Sequence, residues 1–269
     1  MDKNGRFALN TLITGASSGI GKALATECAK RGMNLLLVSL PQTGLKEFSE
    51  ELRSTFGITV NYLETDLLTK DSHKEVFEFA HNNNFLINVL INNVGVGYNG
   101  RFDAMQEQKV SNMLQLNIMT TTLLTQIFLP DLQKGPKAHI LNMGSFCSFT
   151  PLPGKSVYAA SKAYILFLTK ALRNELKGSK ITVSAVFPAG VPTNQQVASR
   201  IKKSGWLGQS LSSSTEEVAR RAIEGMLKGK EIIFPKKRLK TFFFFARGLP
   251  HGLLLYLLAR EFRRSADEF

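Results

Sequence analysis

Tyr158 and Lys162 stand four positions apart in the stretch "SVYAASKAY", a segment with helical patterning, so they share one helix face a turn apart. A phenol beside an ammonium can serve as a proton donor with its electrostatic tuner. A free phenol, with pKa about 10, donates reluctantly and ionises rarely at neutral pH. A neighbouring ammonium favours the phenolate and draws that pKa toward the working range. Taken alone, the pair is equally an ordinary couple of surface side chains. The rest of the chain decides between the two readings.

Positioning such a pair requires a rigid frame, and the hydrophobic patterning describes one. Strand-like runs, "RFALNTLIT", "MNLLLVSL", "ITVNYLETD", "FLINVLINN", "KAHILNMGS" and "KITVSAVFP", alternate with helical stretches from end to end. "MNLLLVSL" is apolar at almost every position, the mark of a strand covered on both faces of a parallel sheet. One long helix is expected over Met105 to Leu129, ended by Pro130. Repeated strand-helix alternation implies right-handed crossovers and a doubly wound α/β sheet with helices on both faces. Ligands in such sheets bind beyond the carboxyl ends of the strands.

The turn "TGASSGIG" joins the first strand to the first helix. Its glycines, Gly15, Gly19 and Gly21, permit a tight turn and let the backbone approach a pyrophosphate at the positive end of a helix. Together with "INNVG" at residues 91–95, Asn117, Ser145, Tyr158 and Lys162, this turn resembles the short-chain dehydrogenases/reductases. The likeness runs from about Phe7 to Phe234, and Ser145 precedes Tyr158 by the thirteen residues common in that family. Within it, the chain is similar to the 3-ketoacyl-CoA and hydroxysteroid reductase branch.

The resemblance implies a single Rossmann-type domain with a parallel sheet of about seven strands. It implies hydride transfer between a nicotinamide cofactor and a carbonyl or secondary alcohol. Tyr158 would be the general acid/base, and Lys162 would tune it and hold the nicotinamide ribose. Ser145 would polarise the carbonyl, and Asn117 would anchor a water relaying protons from Lys162. Read singly, Ser145 could equally cap a turn and Asn117 could satisfy backbone in a kinked helix. Cofactor contacts implied are Gly15, Ser17, Ser18, Gly19, Ile20 and Gly21 in the turn, Ser39 after the second strand, and Asp66 with Leu67. Asn93, Val94 and Gly95 follow, then Pro188, Val191 and Thr193 around the carboxamide, with Tyr158 and Lys162. Val94 replaces an alanine of the family pattern, which would slightly crowd the adenine-ribose side without blocking binding, and Ala189 replaces a glycine, which puts the geometry of the 188–193 loop in question.

Cofactor choice is read after the second strand, where a carboxylate would bind a ribose 2′-hydroxyl and repel a 2′-phosphate. This chain has Ser39 there, with Leu40 and Ser18 where a basic residue would favour the phosphate. Thr43, Lys22 and Lys46 are the other groups that could reach it. The absent carboxylate makes NADP the preferred expectation, with NAD as the other. The substrate segment, residues 194–214, carries Val197, Ile201, Trp206 and Leu207 among Arg200, Lys202 and Lys203, with Phe146, Phe149 and Leu152 after the serine. This fits an apolar pocket with a basic rim for an acyl or ring ketone, or a lid packed on its domain.

Composition bounds the remaining questions. The 269 residues are 43% hydrophobic and 20% charged, as for a soluble globular chain. Cys28 and Cys147 have neither disulfide nor metal-ligand spacing, so no metal is expected and both read as small buried residues of a reducing cytoplasm. "MDKNGRFALN" lacks the apolar core of a signal peptide. The net charge of +13 attracts anions, but no nucleic-acid-binding pattern accompanies it. Residues 1–235 read as the catalytic domain and 236–269 as a basic, hydrophobic tail, too interrupted for a spanning helix of about 20 apolar residues. Leu254, Leu258 and Phe262 share a face opposite Arg260 and Arg264, which suits an interfacial helix on anionic lipid or packing on the domain or an oligomer interface. A homodimer or homotetramer, cytoplasmic with peripheral membrane contact, is expected. The reading from another class is a membrane-recruited cofactor-binding regulator without turnover.

Overall fold

Residues 34–39, "NLLLVS", are buried at every position but the first, because layers of helix cover both faces of this strand. The computed structural model describes residues 9–247 and Gly252. Its strands are β1 (Asn10–Thr14), β2 (Asn34–Ser39), β3 (Val60–Glu64), β4 (Val89–Asn92), β5 (Ala138–Met143), β6 (Ile181–Val186) and β7 (Ile232–Ile233). They form one parallel sheet in the order β3-β2-β1-β4-β5-β6-β7. The order reverses between β1 and β4, which opens a crevice beyond their carboxyl ends.

The period of two along each strand divides the core. Ile13, Leu35 and Leu37 face α1 (Gly19–Lys30), α2 (Leu45–Phe56) and α9 (Thr215–Leu227), packing with Leu24, Phe48, Ile223 and Met226. Leu12, Leu36 and Val38 face the other layer, packing with Val76 of α3 (Ser72–Asn82), and with Leu124 and Phe128. These side chains are almost wholly buried, each contributing about 1.5–3 kcal/mol relative to exposure.

The long helix expected over Met105 to Leu129 is three segments: α4 (Glu107–Leu114), a π-helical stretch (Gln115–Thr120) and α5 (Thr121–Lys134). A π segment is a local widening of the helix, often found at functional sites, and this one carries Asn117. Pro130 does not end the helix as expected. Tertiary contacts hold the turn around it: Phe128 and Leu132 are fully buried, and buried Asp131 is paired with His81 of α3 and Lys134, both at 2.7 Å. Those contacts outweigh the missing proline donor.

The remaining elements surround the crevice: a 3-10 turn (Phe146–Phe149), α6 (Ser156–Glu175), α7 (Gln195–Lys203), α8 (Trp206–Leu211) and α10 (Lys237–Arg247). α10 lies on the domain, with Phe242 5.7 Å from Phe146, and Phe243 4.4 Å from Phe149 and 5.3 Å from Phe234, ring centre to ring centre. The proposed apolar face of Leu254, Leu258 and Phe262, with Arg260 and Arg264, lies outside the described residues. Among the described residues no helix is long and apolar enough to cross a membrane.

Candidate active site

A cavity of about 1250 Å³ occupies the crevice, and all the implied site residues except Asn117 line it. One end is built from strand ends and the glycine turn. The other is built from the 3-10 turn, α7, α8 and α10.

In the turn, a Cβ on Gly21 would lie 1.9 Å from the Gly15 carbonyl oxygen, so only glycine lets the turn close this tightly onto α1. Asn93 holds that turn: its Nδ2 donates to the carbonyls of Thr14 (2.8 Å) and Gly15 (3.2 Å). The Thr14 hydroxyl in turn accepts from the backbone N–H groups of Asn93 and Val94. Asn93 therefore clamps β1 to β4 as well as lining the cavity. Ser18 precedes α1 without a side-chain cap, and the first turn carries no acidic residue. Those N–H groups and the positive helix end are left for an anion, so the cradle fits a dinucleotide pyrophosphate.

Beyond β2, the Ser17 and Ser39 hydroxyls are 2.6 Å apart and the Thr43 hydroxyl donates to Ser39 at 3.4 Å. Lys22 lies over the Phe48 ring at 4.6 Å and Lys46 is exposed on α2; neither lines the cavity. Asp66 ends the segment after β3, and its Oδ1 accepts from the Leu68 N–H at 2.9 Å. Leu67 lies beside it in the cavity wall.

The loop 188–193 crosses the floor. Thr193 lies against the glycine turn, where a Cβ on Gly19 would meet its side chain at 3.2 Å. Ala189 is not among the described non-glycine residues with positive φ, so alanine replaces the family's glycine without strain. Val191 is buried beneath it.

The reactive groups stand at the centre. Lys162, 4% exposed, donates from Nζ to the Met143 carbonyl at 2.9 Å. Asn117 clamps the neighbouring loop: Oδ1 accepts from the Val96 N–H (2.9 Å), and Nδ2 donates to the Val96 carbonyl (3.0 Å) and Ser161 Oγ (2.9 Å). A Cβ on Gly95 would come within 2.7 Å of Asn117 Oδ1 and 3.3 Å of Lys162 Nζ. Glycine there lets the loop, Asn117 and Lys162 converge. Ser145 precedes the 3-10 turn and its Oγ accepts from the Cys147 N–H at 3.3 Å. It therefore caps a turn and faces the cavity at once.

Burial pushes the Lys162 ammonium down to about 8, partly offset by Cys147, so it stays charged at neutral pH. Burial and Cys147 push the Tyr158 phenol well up, and a hydrogen bond with Ser145 only partly opposes them. The expected lowering of the phenol by Lys162 is thus not what this site displays, because desolvation dominates. Tyr158 stands as a protonated donor, the form that carbonyl reduction consumes.

Three contributors escaped the sequence reading. Cys147, expected among buried core residues, lines the cavity. Phe242 of α10 lines it too, and only tertiary packing brings that position there. Lys155 lines it with its ammonium 5.4 Å from the Tyr158 ring centre, and its place three residues before the tyrosine was the available signal.

The family model of short chain dehydrogenases matches residues 10–204. This chain belongs to the short-chain dehydrogenases. It is 31% identical over 186 residues to the very-long-chain 3-oxoacyl-CoA reductase of Rattus norvegicus, a match covering 68% of this chain and 59% of that protein. The chain thus spans about three fifths of that curated relative's length. Among solved structures, it is similar to the bulky-bulky ketone specific alcohol dehydrogenase from Comamonas testosteroni, at 29% identity and TM-score 0.75 over 91% of this chain and 93% of that one. It is similar also to a short-chain dehydrogenase from Sphingobium yanoikuyae in complex with NADPH, at 29% identity and TM-score 0.78 over 91% and 95%. The short-chain dehydrogenase fold accounts for the seven-stranded order described above.

Proposed function

We propose that the chain reduces ketones on hydrophobic acyl or ring substrates, with NADPH as the preferred cofactor. The observation that carries this reading is the meeting of Ser145, Tyr158 and Lys162 at one cavity wall, continuous with the glycine cradle. When bound, the nicotinamide supplies hydride to the carbonyl carbon. Ser145 donates a hydrogen bond to the carbonyl oxygen and orients it. Tyr158 gives its phenolic proton to that oxygen as negative charge develops there, and Lys162 steadies the resulting phenolate. Asn117 holds the Val96 loop beside Lys162 and keeps the proton path in register.

The hydroxyl cluster of Ser17, Ser39 and Thr43, with Ser39 standing where a carboxylate would oppose a 2′-phosphate, supports the NADP preference. The similar short-chain dehydrogenase in complex with NADPH supports the same preference. A second copy of the chain would cover the exposed Met119, Tyr164 and Phe167 on the π segment and α6, which supports a homodimer or homotetramer. Exposed Phe244 and Phe245 on α10, with Lys237, Arg238 and Lys240 nearby, support peripheral contact with anionic membrane from a cytoplasmic pool.

The test is turnover of a panel of apolar ketones by the full chain, with NADPH and NADH compared. Faster turnover with NADPH is expected. Tight cofactor binding without turnover of any ketone would sink the enzyme reading and leave the regulatory one. Tighter binding of NADH would sink the cofactor preference alone.

A further inference from the structure

The helices that wall the substrate end have two faces. On α10, Leu239, Phe242 and Phe243 recur at helical spacing and turn inward: Leu239 is fully buried, Phe242 lines the cavity, and Phe243 packs on Phe149 and Phe234. On α7 and α8, Val197, Ile201, Gly208 and Leu211 line the same cavity. The outer faces carry a different set. Trp206, the chain's single tryptophan, is 80% exposed at the start of α8. Phe244 and Phe245 of α10 are 58% and 75% exposed. On the same helices Lys202, Lys237, Arg238 and Lys240 are exposed, and Lys240 Nζ lies 6.0 Å from the Phe244 ring centre. No aspartate or glutamate occurs in 176–215 or 232–247, so α7, α8 and α10 carry no negative side chain.

One exposed apolar side chain needs no explanation. Tryptophan, however, is highly buried on average, and here three large rings are exposed on helices of one charge sign. A second copy of the chain fits such a face poorly, because a two-fold contact pairs a patch with itself and would set like charges together. An anionic bilayer meets both features at once. Its headgroups take the cations, and the rings enter the boundary between headgroups and acyl chains, where an indole can keep its N–H in the wet layer.

We propose that the outer faces of α7, α8 and α10 together dock the substrate end of the domain on an anionic lipid bilayer, with Trp206 and Phe245 as anchors, and that the ketone enters the cavity from lipid. This rests on the reductase reading and on the membrane contact proposed with it. It adds the anchor on α8, the orientation of the cavity and the source of the substrate. Each of these helices presents one face to the cavity and the other outward. Seating them on the bilayer therefore leaves about one helix diameter, roughly 10 Å, between acyl chains and cavity. A hydrophobic ketone gathers in the acyl layer for the same reason that apolar side chains leave water. The aromatic wall of Phe146 and Phe242 takes it up from there.

Because Trp206 is the single tryptophan, the indole emission of the full chain reports on α8 alone. With vesicles of mixed phosphatidylglycerol and phosphatidylcholine, that emission should move to the blue and be quenched by lipids brominated in the acyl chain. Vesicles of pure phosphatidylcholine should do neither, and added salt should weaken the effect. Phe244→Ser combined with Phe245→Ser, at positions that do not line the cavity, should lower vesicle affinity about tenfold or more. That variant should keep its kcat on a short, water-soluble ketone. It should lose the gain in kcat/KM that anionic vesicles give the unaltered chain on a long-chain ketone. A chain that sediments with the vesicles while its Trp206 emission stays unmoved would overturn the proposal, since the contact would lie elsewhere on the chain. So would a blue shift that grows with protein concentration without lipid, the sign of a second copy, or one given by single-stranded DNA and not by vesicles. A long-chain ketone reduced no faster with anionic than with phosphatidylcholine vesicles would overturn entry from lipid. Docking by all these measures with no ketone reduced, short or long, leaves the docking face standing and refutes the reductase reading.

Discussion

The two ends of the cavity are built by different means. The cofactor end is built around close backbone approaches, the glycine turn and loop 188–193, with the Asn93 side chain clamping the turn's carbonyls. The substrate end is made of side chains on α7, α8, α10 and the 3-10 turn, and aromatic contacts of 4.4 to 6.3 Å between ring centres join α10 and the 3-10 turn to the domain. Backbone geometry tolerates few residue types and so leaves a motif. Side-chain packing tolerates many residues of similar volume and leaves only composition. Where the two ends meet stand Ser145, Tyr158 and Lys162, and the largest effects are expected there.

Tyr158→Phe removes one hydroxyl and keeps the ring's packing. The developing oxyanion would then lack its acid, and general acid-base catalysis contributes about 10²–10⁴-fold, so kcat should fall by that much. Cofactor affinity should persist, because the cradle and Lys162 remain. Lys162→Met should lose both. A folded, cofactor-binding Tyr158→Phe protein with near-normal turnover would reduce the pair to neighbours on α6.

That meeting point was legible in the sequence, and much else was not. Tyr158 and Lys162 declare themselves by the helical period, and Gly15, Gly19 and Gly21 by their place after a strand. The break in the long helix was hidden, since nothing in the patterning of "MLQLNIMTTT" separates a π turn from an α turn. Pro130 misled for a physical reason: its helix-ending tendency is local, while Asp131, anchored by His81 from α3, is a contact across 50 residues. Phe242 reaches the cavity from the far end of the described chain, and no local pattern could announce it.

At the cofactor end, Gly21→Ala tests the claim that backbone approach is what matters. The added methyl would meet the Gly15 carbonyl, and overpacking of this kind costs about 1–3 kcal/mol. If the cradle opens to relieve it, cofactor affinity should drop about ten- to hundredfold. Fluorescence titration of the reduced cofactor would measure it. Unchanged affinity would mean that the turn does not hold the pyrophosphate.

Phe242→Ala and Asp66→Asn form a crossed pair. The first removes an aromatic wall from the substrate end and should raise the KM of a bulky ketone about tenfold while leaving cofactor KM alone. The second keeps the bond to the Leu68 N–H but removes a charge from the cavity wall after β3. It should raise cofactor KM several-fold with kcat retained, the pattern of a contact made equally in ground and transition states. If either substitution moves both constants together, the two ends are not independent and the contrast drawn above is wrong.

The smallest expected effect is on pH dependence, and it links the two ends through Lys162. In the free chain its ammonium titrates near pH 8, below the ordinary lysine range, because burial disfavours the charge. The sign follows from which form holds the anionic cofactor. Below pH 8 Lys162 is charged and attracts it; as pH rises through 8 the charge is lost, so affinity for NADPH should weaken, by a few-fold between pH 7 and pH 9. Tyr158, one turn away on α6, remains protonated across that window, since burial pushes its phenol up. Binding the cofactor must, by the same linkage, raise the Lys162 pKa and take up protons near pH 8. Calorimetry in two buffers of different ionisation enthalpy would count those protons. Lys162→Met should flatten the profile and abolish the uptake. A profile that keeps its slope in that variant would place the titrating group elsewhere, and Lys162 would then be a lysine held by the Met143 carbonyl with no part in gathering the cofactor.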